Sequence, residues 1–487
     1  MADDLSGPQP NRRAPARTRG ELVLEPREPG TSAIFLRGRP FTRYLTWYTV
    51  AFTSITVVWG SVIGILLPNQ VQLLEFPVWF TGTDGAVDLQ ALTLLRQQVA
   101  DGAATPSADQ ERLLGLLGGF EAAKASSLAV ITSLGVALTM VAQPIIGVLS
   151  DRTRSRSGRR APWILFGGLT GAAALAAMPF APTVAVLGVI FTAAQVLLNV
   201  AQSPLTATIA DRVAENRRGT ASAMSGIASF FGGLLGGLLA GWLFGSIGVA
   251  FYFPVAAFVA VGVVLFVLLA RDRSSRELVV PEHRWGDFFA GFTVALRSRN
   301  FRWVWIARVL LTFGYTVSTA LALYLLQSYV RPALSAAEAT ALIPVLALVG
   351  IPVTLVTVVI AGRVSDRIGR RKPFVIASSA LMAVSMILPV IFPTLPGVLA
   401  QALLAVIAFG IYLPVDQALF IDVLPDRNSA GRDLGVASLG NNLGQALGPI
   451  VAGVIVTITG GYLGIWVCAF VLTALAAVAI LPLRGVR

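Results

Sequence analysis

The chain has 487 residues, 55% hydrophobic and 13% charged, with a mean hydropathy of +0.75. Soluble domains carry about a quarter charged residues, so this composition excludes a soluble fold and requires a lipid environment. The formal net charge of +12 does not indicate nucleic acid, because Lys and Arg lie in short loops between apolar runs rather than on one soluble face.

Residues 1–43 are polar, rich in Pro and Arg, and lack the apolar core of a signal peptide. They are expected to form a disordered cytoplasmic tail. A membrane-crossing helix needs ~20 apolar residues. Twelve such runs follow, at 44–67, 127–149, 162–181, 183–206, 221–244, 250–270, 303–328, 340–361, 373–393, 395–421, 434–457 and 462–483. The expected fold is an all-α membrane protein of twelve transmembrane helices in two six-helix bundles, 44–270 and 303–487, joined by a linker at 271–302.

The first run carries Trp47, Tyr48, Trp59, Asn69 and Gln70 on it or just beyond it. A long loop, 68–126, then crosses the side opposite the termini. Its leucines at 89, 92, 94 and 95, and at 113, 114, 116 and 117, predict short surface helices. The loop reads as a tolerated insertion rather than a solute-capturing lid. Gln143 lies in the second run. In the fourth, Gln195, Asn199 and Gln202 are spaced i, i+4, i+7 and share a helix face. Glycines at 232, 233, 236, 237 and 241 mark the fifth run and predict close helix packing.

In the linker, Trp285, Phe288, Phe289, Phe292 and Leu296 recur at helical spacing, as expected of a helix lying in the headgroup layer. His283 is expected to be solvated. The seventh run holds Arg308, Tyr315, Ser318, Thr319 and Tyr324. Arg308 is expected to snorkel to the headgroups, the alternatives being an acid partner or an anionic ligand group. Asp416 in the tenth run is an intramembrane carboxyl and a candidate proton carrier, with a structural ion pair as the competing reading. Asp422 is expected to join Asp426 and Arg432 in a surface charge network. Asn441, Asn442 and Gln445 lie in the eleventh run, among glycines at 440, 444, 448 and 453, which again predict close packing. The lone Cys468, in the last run, is expected to pack as a small apolar residue, and with one His and one Cys no disulfide or metal site is expected.

All Lys and Arg except Arg96, Arg112, Lys124 and Arg331 fall on the side of the termini, which the positive-inside rule makes cytoplasmic. On that side one arginine-rich turn occurs twice. Gly147, Asp151 and Arg152 lead into Gly158, Arg159 and Arg160; Gly362, Asp366 and Arg367 lead into Gly369, Arg370 and Arg371. Asp151 and Asp366 are 215 positions apart, and the same offset relates Gln202 to Gln417, Asp211 to Asp426, Arg212 to Arg427 and Arg217 to Arg432. The second turn is four residues shorter between its Asp-Arg and Gly-Arg-Arg elements. Such an Asp–Arg cluster can bridge neighbouring helices and act as a cytoplasmic gate.

These paired turns, with twelve runs in two halves, resemble the major facilitator superfamily over roughly residues 44–484. The expanded first turn, Ser150 to Pro162, is similar to that of glycoside and sucrose cation symporters. The stretch from Tyr412 to Arg427 is similar to sugar-porter-like members. The resemblance implies alternating access about a midplane cavity, for which Gln195, Asn199, Gln202, Tyr315, Tyr324, Asn441 and Gln445 are the candidate lining. Amides and rings suit a polyhydroxyl solute, although each amide alone is also explained by an interhelical hydrogen bond. The acids that melibiose-type symporters carry in the second and fourth spans are missing, which argues against a sodium site. The Gly-Pro pair of the antiporter motif is absent from the fifth span and present at Gly448-Pro449. No phosphate-binding loop is found.

The expected function is proton-coupled uptake of a sugar or glycoside by a monomeric, multi-pass inner-membrane carrier. The alternatives are export of a lipophilic solute and, from another class, a non-transporting sensor. No enzyme activity, cofactor or nucleic-acid partner is expected; the partners are a small-molecule solute, a proton and the lipid bilayer.

Overall fold

The computed structural model describes residues 36, 38–214, 217–276, 296–423 and 430–483, with backbone alone at 430–434. The tail before residue 36, His283, the aromatic stripe from Trp285 to Phe292, Asp426 and Arg427 lie outside the described residues, as does the side chain of Arg432.

The described chain is helical. Its main helices in the first half are α1 (Arg39–Trp79), α2 (Ala108–Arg152), α3 (Ala161–Ala177), α4 (Val184–Arg212), α5 (Arg218–Ile247) and α6 (Tyr252–Leu269). A second set follows: α7 (Arg299–Thr319 with Ala322–Ser328, bent by 45°), α8 (Ala336–Ile368), α9 (Lys372–Ile391), α10 (Leu395–Asp422), α11 (Ala430–Thr459) and α12 (Leu463–Ala479). α5 and α6 form a hairpin. Arg218, opening α5, donates to the Val213 carbonyl beside the end of α4, and Arg212, ending α4, donates to the Ala270 carbonyl just past α6. The start of α5 and the end of α6 therefore share one face. That face, which also carries both arginine-rich turns, is called the basic face below; the opposite one is the far face.

Helix ends follow local chemistry. Pro stands in the first turn of α1, α3, α9 and α10, where its missing N–H has no intrahelical partner to lose. Ser107 with Gln110 and Ser335 with Glu338 form capping boxes that start α2 and α8. α2 differs from the sequence expectation. The leucines at 113–117 do not form a separate surface helix but continue into the crossing as one helix of 45 residues. No Pro lies between the Ser107 cap and Pro144, so nothing breaks the hydrogen-bond ladder at the lipid boundary. The other predicted loop helix does form, at Leu89–Ala100. It packs with α2 in a small separate core of Phe80, Leu92, Leu117 and Phe120.

Within the first half α1 packs on α5 and α6, and α3 on α4 and α6; within the second α7 packs on α11 and α12, and α9 on α10 and α12. The glycine-rich faces permit close approach. A Cβ on Gly444 of α11 would stand 2.8 Å from the Phe313 amide nitrogen of α7, so α7 and α11 touch backbone to backbone. The halves meet through α2 on α11 and α5 on α8. Polar bonds between halves cluster at the far face. Tyr324 donates to the Pro68 carbonyl at 2.7 Å, Asn69 to Thr340 at 3.2 Å, Gln90 to Ala333 at 3.2 Å and Gln97 to Val330 at 2.9 Å, and Arg331 pairs with Asp101. The far face is closed, and the long loop is part of the closure.

Candidate functional site

On the basic face the first turn folds into a charge cluster around the buried Arg160. Gly158 has φ +90° and packs on Asp272, whose Cβ would lie 2.7 Å from an added methyl; a side chain is excluded on both counts. This turn presents Arg159 and Arg160 to the end of α4. Arg160, nearly buried, pairs with Asp151 and with Asp211, its Nε 3.0 Å from Asp211, and donates to Ser150 at 2.5 Å. Arg159 also pairs with Asp211 and stands 3.8 Å from Asp151. Arg152 ends α2, and Gly147 faces open space one turn before it. α2, α3 and α4 are thus tied together at one end.

The second turn repeats the plan more loosely. Gly369, in the left-handed region, ends α8. Arg371 pairs with Asp422 at 2.6 Å, donates to the Ala418 carbonyl at 2.6 Å and stands 4.0 Å from Asp366, which is largely exposed. Arg367 and Arg370 are exposed, and Gly362 lies near Pro414 of α10. The partner of Arg371 is Asp422, as Asp211 is of Arg160. Asp422 follows Asp211 by 211 positions, the spacing that also separates Arg160 from Arg371. The four-residue shortening of the second turn moves the register, so the offset of 215 does not identify the acid that does this work.

Deeper in the second half, Arg308 does not run to the headgroups. It is buried, and both its Nε and Nη2 donate to the Oδ2 of Asp416, the Nε at 2.7 Å. Its guanidinium also lies over the Phe420 ring, 3.9 Å from the centroid. Asp416 Oδ1 and the neighbouring Tyr412 hydroxyl are buried without a hydrogen-bond partner among the described residues. A buried carboxylate with one oxygen bonded twice and the other bare retains an acceptor site for a proton.

About 10 Å farther from the basic face, by the 1.5 Å rise per residue, a cavity of about 440 Å³ lies among α7, α8, α10 and α12, with Phe230 of α5 on its rim. Its walls are mostly aliphatic and aromatic. Tyr315 and Phe409 stack there with centroids 5.3 Å apart. The polar groups are few and incompletely engaged. Among the described residues Gln401 meets only the Met386 sulfur, at 3.6 Å, a weak acceptor. The Trp466 Nε1–H is buried without a partner among the described residues.

Of the seven residues expected to line a cavity, Tyr315 does so. Asn199 accepts from Gln143 at 3.0 Å and donates to the Gln195 carbonyl at 2.9 Å, so this face joins α2 to α4. The Gln195 Oε1 lies against Gly135 of α2 without a partner, and Gln202 is half-buried. Asn441 accepts from Thr312 at 3.2 Å, Gln445 is exposed, and Tyr324 is part of the far-face closure. Gln401 and Trp466 went unremarked in the sequence. The signal for Gln401 was present: it is the one amide among the apolar residues from 395 to 416.

Residues 122–481 match the family described as MFS/sugar transport protein. No curated protein sequence matches the chain. Several solved structures share the fold. The nucleoside transporter NupG is 13% identical with a TM-score of 0.62, covering 90% of this chain and 99% of its own. The D-xylose-proton symporter is 16% identical with a TM-score of 0.59, covering 91% and 97%. A bacterial homolog of the human lysosomal transporter Spinster, inward-facing and unoccupied, is 14% identical with a TM-score of 0.58, covering 91% and 94%.

Proposed function

Since the chain belongs to the MFS/sugar transport family and is a multi-pass secondary transporter of a small-molecule solute, we propose that it takes up a glycoside or related amphipathic sugar derivative together with protons, by alternating access. The observation that carries this reading is the cavity in the second half, about 10 Å along α7 and α10 from the buried Arg308–Asp416 pair. Its Tyr315–Phe409 wall offers a flat surface for a sugar face or an apolar aglycone, and Gln401 and Trp466 offer unused donors to solute oxygens. Its volume lies in the usual range for small-ligand pockets, roughly 300–1,000 Å³. Protonating Asp416 would cancel its attraction for Arg308 and release the guanidinium, which links proton occupancy to the packing of α7 on α10.

The positive-inside rule makes the basic face cytoplasmic. The closed far face then corresponds to a carrier shut toward the outside, and the Arg160 and Arg371 clusters to its cytoplasmic ties. The second reading is export of a lipophilic solute, favoured by the dominance of apolar walls in the same cavity.

The test uses proteoliposomes with an imposed proton gradient and a panel of free sugars, alkyl and aryl glycosides, and lipophilic dyes. Glycoside accumulation that rises with the gradient, with a raised KM in Gln401→Leu, supports the proposal. Dye efflux with no glycoside flux overturns it in favour of export.

A further inference from the structure

A second chamber, of about 150 Å³, lies at the far face between the two halves, under the helix Leu89–Ala100. Lys124 of α2 forms part of one wall and is 3% exposed. Its ammonium lies between the rings of Phe120 and Tyr324, 5.1 and 4.7 Å from their centroids. Among the described residues it makes no hydrogen bond or ion pair, so its three N–H donors have rings for company and no acceptor.

The acids nearby are committed elsewhere. Both Glu121 oxygens take the Arg96 guanidinium, at 2.6 and 3.0 Å. Asp88 is exposed, and its carboxylate caps the loop helix by accepting from the Gln90 and Ala91 amides. From the other half, Gln327 at the end of α7 lines the chamber, 7% exposed, with its Nε2 buried and unpartnered. A buried cation and a buried amide donor, one from each half, share one small void. A buried polar group left unsatisfied is destabilising, and more so when charged, so an occupant that accepts from both relieves two penalties at once.

We propose that this chamber binds one small monovalent anion, chloride or a short carboxylate, between the Lys124 ammonium and the Gln327 amide. At about 30 Å³ per water, the void holds such an ion and a few waters, one of which satisfies the Gln72 Oε1, also unpartnered. Because the two donors belong to different halves, the anion binds the far-face-closed form and stabilises it. The site is separate from the solute cavity and does not depend on the identity of the solute.

The test is thermal unfolding of the purified full-length protein, titrated with sodium chloride or sodium formate at constant ionic strength, with gluconate as the balancing bulky anion. The expected result is saturable stabilisation by chloride, formate or both. Lys124→Met should weaken the apparent affinity roughly tenfold or more, and Gln327→Leu roughly threefold to tenfold. Should Lys124→Met not fold, Gln327→Leu carries the test alone, since it keeps the charge. A shift that is equal for gluconate, fails to saturate, or keeps its midpoint in the variants overturns the proposal.

Discussion

Removing the Asp416 carboxylate should strand the Arg308 charge. The pair is buried on both sides, and Arg308 has no second carboxylate within salt-bridge distance among the described residues. Breaking a buried pair from one side costs about 3–5 kcal/mol, while replacing both partners with apolar residues is often neutral. Asp416→Leu and Arg308→Leu should each lose about 3 kcal/mol or more. The Arg308→Leu/Asp416→Leu double variant should lose only about 1 kcal/mol, a coupling of about 5 kcal/mol in a double-mutant cycle. Denaturant unfolding in detergent reads these values. Flux then separates stability from coupling: the double variant should still exchange solute by counterflow but not accumulate it against a gradient. Additive single losses would refute the mutual pairing. An Asp416→Asn variant whose transport keeps the parent's pH dependence would remove Asp416 from proton coupling.

Three further outcomes are expected. Arg160→Ala, which removes a buried cation's hydrogen bonds to two partly exposed acids, should destabilise by about 2 kcal/mol; Arg371→Ala, in the more exposed copy, should cost ~1 kcal/mol or less, and equal shifts in unfolding midpoint would contradict this asymmetry. Deleting the Gln90 and Gln97 side-chain bonds to the α7–α8 turn should favour opening by about 1–3 kcal/mol, seen as faster labelling of a cysteine placed at Thr340; unaltered labelling would return the loop to a passive insertion. At the loop's base, the hydrogen bonds from Arg112 hold the Asp84 carboxyl below its ordinary value. That anchoring is present above the unfolded value of about 4 and is lost as pH falls through the lower folded value, so the protection of the Gly82–Ala86 amides, measured relative to the intrinsic exchange rate at each pH, should fall in acid. An Arg112→Gln variant should exchange fast at neutral pH already.

Much of the architecture was legible from one-dimensional signals. Apolar run length marked the crossings, and the recurrence of Asp151–Arg160 in Asp366–Arg371 marked the two-fold plan. Charge located the ties as well, because an arginine-rich turn at a helix end has few partners to choose from. The reading weakened wherever a pairing depended on helix rotation. The Gln195–Asn199 face has the spacing of a cavity wall, yet Asn199 bonds to Gln143 and Gln195 packs against Gly135 of α2. The offset of 215 selects Asp426, while the shortened turn brings Asp422 to Arg371.

Sequence alone determined which segments enter lipid and which face carries the basic turns, because both follow from the cost of moving local groups out of water. Tertiary structure decided everything that depends on which side of a helix looks inward. In a membrane the lipid-facing and core-facing residues are equally apolar, as the exposed Val130, Leu134 and Leu138 of α2 illustrate, so periodicity carries no inward mark. The meeting of Arg308 with Asp416, the exposure of Gln401 to a cavity, and the approach of Lys124 to Gln327 across the halves arise only once the helices have rotated and packed.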